Sequence, residues 1–412
     1  MTTFEEETPI SEFIVGRGTA QTETLNQLLP RTLRAIRKHL GMDVAFVSEF
    51  TNGRRVFRYV DSSHPTHPVQ VGGSDPLEES YCQRVVDGRL PELIPDAAML
   101  PAARELPVTA ALPVGAHLSV PIRLRDGRIY GTFCCFSSVP NKSLNERDLA
   151  MVRVFAEMSA DHIDRDLDAM KARAAMASRI DAVLSGDSLS MVYQPIYQLA
   201  ENKIVGFEAL SRFSALPTRS PDVWFGEAAQ VDRGLELEIK AIKLALLGID
   251  HFRSDVYVSV NASPESILEG DMESVLKGWP LEQIVLEVTE HAAIDHYGDI
   301  AKVIEPLRHR GLRVAVDDAG AGYASFRHIL SLAPDVIKLD VSITRNIDTD
   351  RSRRALAGAL IGFAEATNCK IVAEGVETAS ELSVLRQLGV NKAQGYFLGK
   401  PMAIASAAKL AQ

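Results

Sequence analysis

Polar side chains able to bind ligands close one apolar run after another in the second half of this sequence. Glu208 ends Ile-Val-Gly-Phe, Asn261 ends Val-Tyr-Val-Ser-Val, and Glu287 ends Ile-Val-Leu. Asp317 and Asp318 end Leu-Arg-Val-Ala-Val, Lys338 sits within Val-Ile-Lys-Leu-Asp, Glu374 ends Ile-Val-Ala, and Gln394 closes the last run. Gathered in one place without compensation, the carboxylates would repel and raise one another's pKa values; divalent cations remove that cost. Carboxylates with an amide oxygen and no His or Cys companion favour hard ions such as Mg²⁺ or Mn²⁺ over Zn²⁺. The adjacent pair Asp317-Asp318 suits two ions held a few ångströms apart, the arrangement that clamps the attacking and leaving oxygens of a phosphodiester.

The elements that must position these groups are short apolar runs alternating with helical stretches, the pattern of βα units around a parallel sheet. The runs are 191–199, 204–210, 256–261, 284–288, 312–317, 336–340, 371–374 and 392–396. Eight such strands fit a closed barrel, and successive chemical residues lie 53, 26, 30, 21, 36 and 20 positions apart, mostly one βα unit. All are therefore expected at the C-terminal rim, where barrels of this kind build their sites. The first two runs are joined only by Ala200-Glu201-Asn202-Lys203, too short for a parallel crossover, so one antiparallel strand is expected. The fold class is α/β, a modified (β/α)8 TIM-like barrel, preceded by an α+β domain with an antiparallel sheet.

Singly, each residue has a plainer explanation. A strand-end carboxylate is commonly solvated or a helix N-cap, Lys338 can pair with Asp340, Asn261 can cap the helix that Pro264 opens, and Gln394 can satisfy backbone in a turn. The conjunction at one rim argues against these readings.

The 412 residues carry 44 Lys and Arg against 54 Asp and Glu, a net charge of -10 and the wrong sign for gripping long nucleic acid. No run approaches the roughly 18 apolar residues of a membrane span, and the acidic N-terminus lacks the layout of a secretory signal, so a cytoplasmic location is expected. Cys82, Cys134, Cys135 and Cys369 show neither CxxC spacing nor a disulfide framework and read as reduced, mostly buried thiols, with Cys134-Cys135 as a core residue and its outward neighbour. No His adjoins Cys82. In the first half, a helical stretch at 24–40 precedes runs at 44–50, 56–60, 118–124 and 130–136, with an irregular middle from 61 to 114. Asp126-Gly127 between the last two runs signals a hairpin. From Asn145 to about Leu184 scarcely a helix breaker occurs, which predicts a long linker helix and a possible dimer seam.

Glu208-Ala209-Leu210 followed by Ser211-Arg212 resembles the ExLxR signature of EAL-domain cyclic di-GMP phosphodiesterases. Tyr193-Gln194-Pro195-Ile196, Asn261-Ala262-Ser263, Glu287-Val288-Thr289-Glu290, Asp317-Asp318, Lys338-Leu339-Asp340, Glu374-Gly375-Val376-Glu377 and Gln394-Gly395-Tyr396-Phe397 match the later motifs of that family in order. The resemblance implies that Glu208, Asn261, Glu287, Asp317 and Asp318 hold two Mg²⁺ or Mn²⁺ ions and that Glu374, with Lys338 beside it, acts on the attacking water. It further implies that Gln194, Leu210, Arg212 and Gln394 contact the dinucleotide, with Glu290, Asp340 and Glu377 in support. Ala319 and Ala324 depart from the family's usual Phe and Ser, which puts the anchoring of the intervening loop in question.

Residues 21–164 resemble a GAF domain, whose ligand the sequence does not name. The division expected is a tail over 1–20, the GAF-like sensor over 21–164, a helical linker over 165–188 and the EAL domain over 189–412. The activity expected is metal-dependent hydrolysis of cyclic di-GMP to linear pGpG in a homodimer regulated by the GAF-like domain. The alternative is a catalytically silent EAL receptor that binds cyclic di-GMP and relays the signal.

Overall fold

The computed structural model describes residues 25–289, 297–319 and 325–412. It divides into two compact units, Met1–Ala172 and Arg173–Gln412. The helix Glu146–Ser185 is continuous across that division.

In the first unit the strands are β1 (Val44–Thr51), β2 (Arg54–Ser62), β3 (Ser74–Pro76), β4 (Leu93–Ile94), β5 (Ala116–Arg123) and β6 (Ile129–Ser137). They form one sheet in the order β3-β2-β1-β6-β5-β4, every pairing antiparallel. The hairpin at Asp126-Gly127 turns as expected: Gly127 takes φ 85°, and the Asp126 carboxylate accepts the Arg128 N–H at 3.0 Å. The irregular middle contains short helices, among them Tyr81–Val86, which Ser80 caps by accepting the Gln83 N–H.

Both faces of this sheet are covered, which corrects the expectation for Cys134 and Cys135. Cys135 packs with Leu33, Ile36, Leu118, Phe133, Val152 and Phe155 under the two long helices, whereas Cys134 packs with Phe46, Phe57, Cys82 and Phe136 on the opposite face. Strand alternation sends the neighbours to opposite sides, and each side is a core. All four thiols are buried and free, as expected.

The second unit holds β7 (Leu189–Gln198), β8 (Lys203–Phe213), β9 (Tyr257–Ala262), β10 (Ile284–Val288), β11 (Arg313–Ala319), β12 (Val336–Leu339), β13 (Lys370–Ala373) and β14 (Lys392–Ala393). They close a barrel in the order β10-β11-β12-β13-β14-β7-β8-β9. β7 runs antiparallel to both of its neighbours and every other pairing is parallel, as the short connection between β7 and β8 demands. The eighth run is shorter than the sequence predicts. Gly395 brings the chain so close to Val376 that an added Cβ would stand 2.2 Å from its backbone, and the strand gives way to a turn that leaves Tyr396 and Phe397 exposed.

Inside the barrel, Ile196, Tyr257, Val285, Ala315, Val336 and Val372 make an apolar layer. Gly206 belongs to it by necessity, since a Cβ there would meet the Tyr257 ring at 2.6 Å. Outside, the strands bury Leu, Ile and Val against the surrounding helices.

The last turns of the helix Glu146–Ser185 belong to the core of this second unit. Ile180 and Val183 pack with Leu189, Trp224, Ala228, Val231 and Leu237, so the compact unit begins before β7. The helix ends where Lys240 Nζ donates to the carbonyls of Val183, Leu184 and Gly186 at 2.9, 3.0 and 2.6 Å. These acceptors lack partners at a helix C-terminus, and the ammonium supplies both hydrogen bonds and favourable charge there. Lys240→Met is therefore expected to destabilise the second unit by about 1–3 kcal/mol. Both tryptophans of the chain, Trp224 and Trp279, lie in that unit, so urea unfolding followed by tryptophan fluorescence reads it directly. An unchanged midpoint would show that the ammonium does not hold the helix end.

Candidate active site at the barrel rim

Period-two alternation places the chemical residues. Glu287, Asp317, Lys338 and Glu374 each stand two positions beyond an apolar interior residue, namely Val285, Ala315, Val336 and Val372. Ser259 and Asn261 follow Tyr257 in the same way, and Glu208 follows Gly206. Register sets Glu287 beside Asn261 and Glu208 beside Ser259, and sets Lys338 beside Val372, two positions before Glu374.

The centre is Lys338, 1% exposed. Its Nζ lies 2.7 Å from Glu287, 2.7 Å from Glu374, 3.1 Å from Asp317 and 3.4 Å from Glu208. With all four carboxylates ionised, one ammonium would leave three surplus negative charges in this layer, and without a cation the raised carboxyl pKa values relieve them by protonation. Burial pushes Glu287 up to about 8; the Lys338 charge opposes this, and the neighbouring Glu208 and Asp317 add to it. Burial likewise holds Glu374 well above the usual carboxylate range, against the pull of Lys338. For Lys338 burial works to lower the pKa, and Glu208, Glu287, Glu374 and Asp317 outweigh it, holding the ammonium protonated.

The amides fit around this ring. Gln394 Nε2 donates to Glu208 at 2.5 Å and to Glu374 at 3.0 Å, and Asn261 Nδ2 donates to Glu208 at 3.4 Å. Gln394 Oε1 is buried without a hydrogen-bond partner. Ser259, which the run-end reading of the sequence passes over, donates its hydroxyl to Glu287 Oε1. The oxygen-only donors, the surplus negative charge and an orphaned amide oxygen together fit hard divalent cations, with Glu208, Asn261, Glu287 and Asp317 as the groups to hold them.

The plainer explanations do not hold here. Ser263, not Asn261, caps the helix Pro264–Glu269, and Asp340 caps Val341–Thr344 instead of pairing with Lys338. Gln194 is buried on β7 and donates to Gly399 O at 3.1 Å, Leu210 is half-buried, and Arg212 is exposed with Nη1 donating to Ser211 O at 2.8 Å. Glu377 pairs with Arg345 on the surface, and Thr344 donates its hydroxyl to the carbonyl of Glu374. Ala319 is fully buried in the outer core, a place for a small side chain. Glu290 and Ala324 lie outside the described residues, and the Asp318 side chain is not among those described.

This ring of acids at the rim of a barrel with one reversed strand is the setting in which likeness to known proteins carries weight. The chain belongs to the EAL domain family, whose match spans residues 177–401, and a GAF domain matches residues 24–163. It is similar to the probable cyclic di-GMP phosphodiesterase PdeD of Escherichia coli (strain K12), 28% identical over 243 residues that cover 56% of this chain and 44% of that protein. It is also similar to the cyclic di-GMP phosphodiesterase NbdA of Pseudomonas aeruginosa, 30% identical over 246 residues, 56% of this chain and 31% of NbdA. The chain thus spans less than half the length of these curated relatives. Among solved structures, the PaMucR phosphodiesterase in complex with c-di-GMP matches with a TM-score of 0.52 and 25% identity over 57% of this chain and 99% of that one. The EAL enzyme Bd1971, bound to cAMP and cyclic di-GMP, matches 90% of this chain and 93% of its own with a TM-score of 0.56; at 18% identity that likeness is one of fold alone.

Charge surplus makes a specific demand. Glu287→Gln keeps the shape, the Ser259 hydroxyl can rotate to accept from the new amide, and the neutral amide stands in for the protonated carboxyl that burial favours without a cation. In chelator the variant is expected to be at least as stable as the parent. Saturating Mn²⁺, at about 100 times its dissociation constant, should stabilise the parent by about 2.7 kcal/mol and the variant by much less. Thermal unfolding with and without Mn²⁺ checks this. A metal-free Glu287→Gln protein markedly less stable than the parent would show that the ring is a structural salt bridge and not a cation site.

Proposed function

We propose that this chain hydrolyses cyclic di-GMP to linear pGpG with two Mg²⁺ or Mn²⁺ ions held by Glu208, Asn261, Glu287, Asp317 and Asp318. The observation that carries the proposal is the buried ammonium of Lys338 set among four carboxylates at the C-terminal rim, a layer short of positive charge. When bound, divalent cations would offset that surplus, acidify a water and polarise the phosphodiester.

The chain's own groups divide the remaining work. Glu374 Oε1 accepts hydrogen bonds from Lys338 at 2.7 Å and from Gln394 at 3.0 Å, which fixes the carboxylate as an acceptor for the proton of the attacking water. Lys338, held protonated by its neighbours, stabilises negative charge as it develops on the phosphorus oxygens. Arg212 presents an exposed guanidinium at the end of β8, and its planar fork suits a phosphate of the dinucleotide. Leu210, half-buried two residues before it on the same strand, offers an apolar contact to a base.

Homodimerisation and control by the GAF unit through the helix Glu146–Ser185 belong to the same reading. The exposure of Val154 and Met170 on that helix supports it, at 52% and 69%. A location in the cytoplasm belongs to it as well; among the described residues no helix is long and apolar enough to cross a membrane.

Incubation with cyclic di-GMP and Mn²⁺ is expected to yield pGpG on chromatography. Glu374→Gln should lower turnover by roughly 10²–10⁴-fold, the usual cost of losing a general base, while cyclic di-GMP affinity changes far less. Binding without turnover in the parent chain, under every metal tried, would favour the receptor alternative.

A further inference from the structure

The first unit contains a cluster that the barrel chemistry does not use. Cys82, on the helix Tyr81–Val86, meets Cys134 of β6 with their sulfurs 3.1 Å apart. His117 enters from β5, and one of its ring nitrogens lies with both sulfurs inside a span of 4.8 Å. All three side chains are buried, the thiols completely. His117 is 35 residues from Cys82 and 17 from Cys134 in the chain, so only sheet pairing brings it here. Its ring stacks on Tyr81 with centroids 4.7 Å apart, and its Nδ1 has no hydrogen-bond partner.

Polar groups surround both sulfurs. Arg55 Nη1 donates to Cys82 Sγ at 2.9 Å, and the same guanidinium is paired with Asp75. Ser119 Oγ lies 3.0 Å from Cys134 Sγ, and the Cys134 thiol donates to the Thr132 hydroxyl at 3.1 Å, a contact that would reverse direction on a thiolate. Arg55 and Asp75 cancel each other, so if both thiols ionised on binding, one divalent cation would restore neutrality in this buried layer.

Two chemistries fit a close pair of thiols, a disulfide and a metal. A disulfide joins the sulfurs and leaves the buried imidazole of His117 outside the bond. A metal engages both sulfurs and the imidazole. Tetrahedral zinc, with Zn–S of about 2.3 Å and Zn–N of about 2.0 Å, sets its donors some 3.5–3.8 Å apart; the three donor atoms lie inside 4.8 Å of one another, and the sulfurs, 3.1 Å apart, would open by roughly 0.7 Å to take it. Thiolate and imidazole select zinc over the hard ions suited to the barrel rim.

We infer that Cys82, Cys134 and His117 form a Zn²⁺ site inside the GAF unit, with the fourth position open to water or a small exogenous ligand. Arg55, Ser119 and Thr132 hydrogen-bond the ligating sulfurs and orient them.

The full chain, purified without chelator, should contain about one zinc atom, as a single site of this type requires. After chelator treatment, titration with Co²⁺ should produce a near-ultraviolet sulfur-to-cobalt charge-transfer band, which the oxygen donors of the barrel rim cannot produce. The band should be lost in Cys82→Ser and Cys134→Ser and kept in Cys135→Ser, whose thiol lies on the other face of the sheet. His117→Gln should weaken Co²⁺ binding more than about tenfold. Should a serine variant fail to fold, zinc content and the cobalt band of the parent chain still decide. A parent chain without zinc and without the band overturns the inference, whether its thiols are free or joined as a disulfide, and so does a band that survives both serine substitutions.

Discussion

The buried ammonium of Lys338 is the interaction around which the barrel unit is organised. Burying one lysine is costly, and burying four carboxylates beside it costs more, because each charge gives up water. The Lys338 contacts with Glu208, Glu287, Asp317 and Glu374 offset part of that cost, and the raised pKa values of Glu287 and Glu374 register the part that is not offset. A fold selected for stability alone would fill this layer with apolar side chains, as the layer beneath it is filled by Ile196, Tyr257, Ala315 and three valines. The imbalance supports the proposed cation site, and the amides of Asn261 and Gln394 and the hydroxyl of Ser259 hydrogen-bond the carboxylates in place.

The barrel supplies the rigidity that this imbalance needs. Tyr257 plugs the interior below the acids, its ring fitting only because residue 206 is glycine, and a close-packed apolar layer blocks relaxation downward. Outside, the helices are fixed by caps such as the reciprocal box of Thr378 and Glu381, which follows directly on the turn carrying Glu374. Like charges can thus be held near one another by scaffolding distributed around the whole ring.

Much of this was legible in the sequence, for a physical reason. A carboxylate two positions after a buried apolar residue must share its face of the strand, so Glu287, Asp317 and Glu374 announce themselves once the strands are found. The reversed strand follows from a connection too short to cross over. Ser259 satisfies the same alternation but reads as filler in an apolar run, and the grip of Gln394 on Glu208 depends on barrel closure, which brings the last strand beside β7. Chain-distant pairings such as Arg345 with Glu377, or His117 with the two cysteines, have no local signature at all. The end of the long helix is a similar case: its carbonyls meet an ammonium from Lys240, more than fifty residues later.

The two units thus carry contrasting donor sets, oxygen at the barrel rim and sulfur with imidazole in the sheet domain. The central claim is that the acid ring is built to receive hard cations. Crystals of the full chain grown with Mn²⁺ and measured near the manganese absorption edge test it directly. The account predicts anomalous density bounded by Glu208, Asn261, Glu287 and Asp317. A rim without anomalous density at saturating Mn²⁺, with Lys338 still bonded to all four carboxylates, would contradict it.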